Sequence, residues 1–123
     1  MTIIFANNQQ LPYLDAVETE EYWGGSNRRT LTFTCAADAV SVDALNAILN
    51  DSANTAALSL SNEELGITNL YEGYTMKLKI GIEPVLTQPD SPDAAAIYAD
   101  RLVFKLGKPT YIEAQLARLG LLQ

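Results

Sequence analysis

Threonines and apolar residues alternate through Thr30-Leu31-Thr32-Phe33-Thr34-Cys35, so an extended chain places Leu31, Phe33 and Cys35 on one face and the threonines on the other. The same period of two runs through Met76, Leu78, Ile80 and Ile82, with Lys77 and Lys79 opposed, and predicts a strand over 75–83. Another strand is predicted over 15–23. The residues between it and the strand at 28–36, Gly24-Gly25-Ser26-Asn27, tolerate positive φ, so the two runs form a β-hairpin with a loop nearer four residues than two. Shorter runs predict strands at 2–6, at 55–61 with Ala56, Leu58 and Leu60 inward, at 66–74, and at 97–106 with Leu102, Phe104 and Leu106 on one face. The segment 7–12 reads as a turn or loop.

The period changes at Ser41, after which Val42, Leu45, Ile48 and Leu49 recur at three and four. That spacing predicts a short amphipathic helix with Ser41 as N-cap and Asp43 in its first turn. At the other end of the chain, Thr110 and Glu113 have capping-box spacing, Ile112, Leu116 and Leu119 form an apolar stripe, and Gly120 is a natural stop. Between 84 and 95, Pro84, Pro89 and Pro92 with Asp90, Ser91 and Asp93 predict a long exposed connection, and such loops often carry function. These elements describe an α+β fold, mainly antiparallel β, forming one domain over 1–123. It is expected to be a sandwich or small barrel of six or seven strands with one internal and one C-terminal helix. A doubly wound parallel sheet is not expected, since only one strand-helix-strand passage occurs.

A chain of 123 residues can bury one core without disulfides. Its net charge of −7 is uneven, because Asp15, Glu18, Glu20 and Glu21 cluster early while Lys77, Lys79, Arg101, Lys105, Lys108 and Arg118 lie later. No basic stripe offsets that field, so nucleic acid is not an expected partner. The start lacks the basic pattern of a signal peptide, and no apolar run approaches the roughly twenty residues that span a bilayer. No membrane contact and a cytoplasmic location are therefore expected.

The inventory for catalysis is thin. With no histidine and a single cysteine, His-based triads and the usual zinc sites are ruled out, and Cys35 reads as a buried structural thiol. On one strand Glu18 and Glu20 share a face and Glu21 opposes them, which suits a solvated acidic edge better than a catalytic carboxylate pair. Asp90-Ser91-Pro92-Asp93 lacks the closing acid of a calcium loop. The chain is thus expected to be no enzyme and to carry no cofactor or metal. Tyr13, Tyr22, Trp23, Tyr71 and Tyr74 are expected in core or edge packing, with a recognition surface as the alternative. Arg28 and Arg29 beside the acidic strand suggest cross-strand ion pairs, or one arginine reaching a neighbouring subunit.

The run from Glu18 through Tyr22-Trp23-Gly24-Gly25 and Arg28-Arg29 to Thr34 resembles small tail or baseplate-region structural proteins of phages and prophages of Gram-positive bacteria. The helix ending Leu45 to Leu49 and the run Leu70 to Tyr74 belong to the same likeness, which covers roughly 15–83 and is echoed from Arg101 to Leu106. The resemblance implies a non-enzymatic virion component, a β-sandwich with a flanking helix that self-associates or docks onto other tail proteins. Its location would be the host cytoplasm when made, then the virion. No family site residue carries over. The interface candidates are Arg28, Arg29, Pro89 and Pro92, with Ile112, Leu116 and Leu119 on the last helix. A small-molecule-binding β-barrel and an acidic adaptor or inhibitor are the alternatives.

Overall fold

The computed structural model describes residues 1–119, and Gly120, expected to end the last helix, lies outside them. The elements in chain order are β1 (Thr2–Ile4), β2 (Gln10–Pro12), β3 (Asp15–Trp23), β4 (Ser26–Ala36), α1 (Val42–Leu49), α2 (Ser52–Thr55), β5 (Ala57–Asn62), β6 (Ile67–Glu72), β7 (Met76–Gln88), β8 (Ile97–Gly107) and α3 (Tyr111–Arg118). The strands make two four-stranded antiparallel sheets, ordered β2-β1-β5-β6 and β3-β4-β8-β7.

One core joins the two sheets. Leu31, Phe33 and Cys35 of β4 pair with Leu106, Phe104 and Leu102 of β8, and all six are buried. Phe33 stacks on Phe104 with ring centroids 4.8 Å apart, and Tyr13 meets Phe33 edge-on at 6.1 Å. From the other sheet come Ile3, Leu11, Leu58 and Leu60, while α1 contributes Leu45 and Leu49. Burying each large apolar side chain stabilises the fold by about 1.5–3 kcal/mol. The cap of α1 is made by Ser41, whose hydroxyl accepts from the Ala44 amide at 3.1 Å.

Several expectations are corrected. Among the described residues there are eight strands rather than six or seven, because β2 forms inside the segment read as a loop; at three residues it is too short to show a period, yet Leu11 pairs with Ile3 and is buried. The β3–β4 loop is the two-residue Gly24-Gly25, both at positive φ (59° and 85°), a geometry matching the twist of the flanking strands. Thr55 ends α2, which Asp51 caps, so Ala56 is exposed and β5 begins at Ala57. The alternation read along 76–82 breaks at a bulge between Lys77 and Lys79. Ile80 then pairs with Phe104 on the core side, whereas Leu78 lies against Gly107 on the opposite face. Finally, the connection expected over 84–95 is only 89–96, because β7 runs on through Pro84 to Gln88. β7 is an edge strand, where a missing N–H costs no ladder bond.

Candidate functional site

Two features at opposite ends of the β3-β4-β8-β7 sheet stand apart from the core. The first is an arm. The pairing of β4 with β8 ends at Ala36↔Arg101, but β7 and β8 remain paired with each other from Pro84↔Asp100 to Gln88↔Ile97. Beyond Glu83 and Arg101 the hairpin therefore has only two strands. Its tip holds Pro89, Asp90, Pro92 and Asp93, all exposed, and is closed by a Ser91↔Ala94 bridge. Apolar side chains along and at the root of the arm are open to solvent: Ile82 at 47%, Leu86 at 48%, Ile97 at 49% and Tyr98 at 61%. Leu86 and Tyr98 are cross-strand partners, so they form a pair on one face.

The second feature is a cleft of about 310 Å³ lined by Glu20, Asn27, Arg28, Arg29, Lys108, Pro109 and Thr110. Its floor is a lock between β4 and α3. Arg28 is buried, 3% exposed, and its guanidinium donates to both oxygens of Glu113 (2.7 and 3.1 Å), to the Lys108 carbonyl (3.1 Å), to Met76 Sδ (2.9 Å) and to the Trp23 carbonyl (3.0 Å). Glu113 also accepts from the Thr110 amide at 2.8 Å while Thr110 Oγ1 accepts from the Glu113 amide. Held chiefly by the Arg28 guanidinium, the Glu113 carboxyl titrates at about 2.

A second cluster borders that cleft. The buried Tyr74 hydroxyl donates to Glu18, which Arg29 also grips at 2.6 Å. Burial first and the Glu18 carboxylate second push the Tyr74 pKa up, while the Tyr74 hydrogen bond is the largest cause lowering that of Glu18. The Lys108 ammonium sits over the Tyr74 ring, 5.0 Å from its centroid, and among the described residues no carboxylate lies within ion-pair reach of it. On the other face of β3, Glu21 pairs with Lys105 at 2.8 Å, and this contact most strongly lowers its pKa, to about 2.

The residues singled out from sequence are thus separated. Arg28 lies inside the lock and Arg29 on its rim, whereas Pro89 and Pro92 lie at the arm tip. The stripe expected on the last helix is largely open, with Ile112 at 69% exposure and Leu116 half-buried in α3, and Leu119, at 71%, just beyond its end. Sequence reading missed the long-range Arg28–Glu113 pair and the exposed arm residues Leu86, Ile97 and Tyr98. Cys35 is fully buried, and burial raises its thiol to about 11. Among the described residues no group of three or more Cys, Asp or Glu is placed to hold a metal ion, and no helix is long and apolar enough to cross a membrane. Compared with known proteins, the chain matches no family, no curated protein and no solved structure.

Proposed function

We propose that this chain is a non-enzymatic assembly protein of the phage-tail type, a β-sandwich with a flanking C-terminal helix that acts by associating with copies of itself or with other structural proteins of a virion. The observation that carries the reading is the two-stranded arm formed by the ends of β7 and β8. A hairpin that packs against no third strand is marginal in water, and this one keeps Leu86, Ile97 and Tyr98 exposed. Exposed apolar surface of that kind marks surfaces covered by a partner. The exposed Ile112 of α3 and Leu119 just after it add a second surface of the same character.

The small-molecule barrel finds less support. The cleft lies at the rim of one sheet, where β4 begins and β8 ends, whereas a ligand barrel holds an apolar cavity between its strands. The test is native mass by light scattering over a wide range of concentration, alone and mixed with candidate tail proteins. Reversible higher-mass species support the reading. A monomer that neither grows with concentration nor engages any tail protein would falsify it.

A further inference from the structure

We infer that the partner of the arm is a second copy of this chain, and that the acidic arm tip of one copy docks into the Arg29–Lys108 cleft of the next. This rests on the assembly reading above and names the two surfaces that meet. The cleft lies where β4 begins and β8 ends, and the tip lies where β7 ends and β8 begins. Thirteen residues of β7 separate the two ends, roughly 40 Å at strand rise. Tip and cleft therefore cannot meet within one molecule. Between copies they make a heterologous, head-to-tail contact, which propagates into a ring if the rotation closes and into a filament if it does not.

Charge supports the match. The connection 89–96 carries Asp90 and Asp93 and no cation. The cleft presents Lys108, whose ammonium rests on an aromatic face rather than on an acid, and Arg29, which is half exposed and also paired with Glu18 at 2.6 Å. Arg28 is already neutralised by Glu113 and stays part of the fold. Among the described residues Glu20 is the one acid in the lining, and it opposes the tip. The proline-flanked tip loses little conformational freedom on docking, because Pro89 and Pro92 already restrict its backbone.

Sedimentation velocity of the whole chain at low and moderate salt, across a wide concentration range, tests the pairing with three variants. Asp90→Lys with Asp93→Lys alters an exposed turn and leaves the fold alone; Lys108→Glu alters the cleft and is checked by a thermal melt. Each should weaken association about tenfold or more, and Glu20→Gln should strengthen it several-fold, since like charges in apposition are disfavoured and their removal is favourable. The informative mixture is equimolar tip and cleft variants: the native tip of one meets the native cleft of the other, and the reversed tip meets the reversed cleft with opposite charge, so the mixture should regain the assembly that neither variant shows alone. If the wild-type chain assembles and all three variants assemble identically, tip–cleft docking is overturned while assembly through another surface stands. If wild type and Glu20→Gln both stay monomeric throughout, docking is overturned and self-association is removed from the functional reading as well.

Discussion

Substituting Glu113 probes the joint between sheet and helix. In Glu113→Ala the Arg28 guanidinium stays buried, with a side-chain exposure of 1%, and loses both acceptors of its one carboxylate partner among the described residues. Hydrogen bonds to charged groups contribute about 1.5–3 kcal/mol each, and breaking a buried pair costs about 3–5 kcal/mol. Because Glu113 is itself about a quarter exposed and water can take its place, the lower end applies, about 3 kcal/mol. At about 3–6 °C per kcal/mol for a chain of this size, Tm should fall by roughly 10–15 °C. Glu113→Gln keeps an acceptor for Arg28 and for the Thr110 amide, so its loss should be about a third of that. The assay is thermal unfolding followed by the single Trp23, whose carbonyl accepts from Arg28. The pH dependence is a second check. Glu113 titrates at about 2 in the fold against an ordinary 4.5, so the unfolded chain binds more protons between those values. Its contribution is complete above about pH 5 and fades as pH falls toward 2. The carboxyls of Glu21 and Glu63, also at about 2, titrate alike in both proteins and cancel in the difference. A Glu113→Gln protein that melts with wild type at neutral pH, or a difference that persists unchanged at pH 2, refutes the lock.

Two further outcomes follow from the packing. At Gly107 an added Cβ meets Leu78 Cδ1 at 2.8 Å and the Cδ of the locked Arg28 at 3.0 Å, so Gly107→Ala should cost about 1–3 kcal/mol in chemical denaturation; an unchanged midpoint means that Leu78 yields freely. Cys35 is fully buried with its thiol raised to about 11, so it should resist disulfide reagents in the folded chain and react at once in denaturant. Rapid labelling under native conditions contradicts that burial.

Those elements were legible in the sequence whose local pattern and tertiary setting agree. β4 alternates because one of its faces lies against Phe104 and its neighbours, and α1 carries its own cap at Ser41. The register of β7 was legible only in part, since inserting one residue at Leu78 reverses the faces without disturbing the apparent alternation. Pro84 reads as a loop residue unless one knows that β7 is an edge. At the cleft, Glu113 was visible as half of a capping box, but its partner Arg28 lies 85 residues away and reads as a surface charge. A buried arginine on a strand leaves no periodic trace. The faint signal was its neighbour Thr30, also buried, on the face away from Leu31.

We propose the arm as the surface through which this chain assembles. The most direct measurement removes it: residues 84–100 are replaced by an Asn-Gly turn joining Glu83 to Arg101, a directly opposed pair that such a turn can close. Light scattering on this chain and on the whole one, at matched concentration and with matched melting curves, reads the result. Higher-mass species are expected for the whole chain and a folded monomer once the arm is gone. Identical assembly by the folded, armless chain would contradict it.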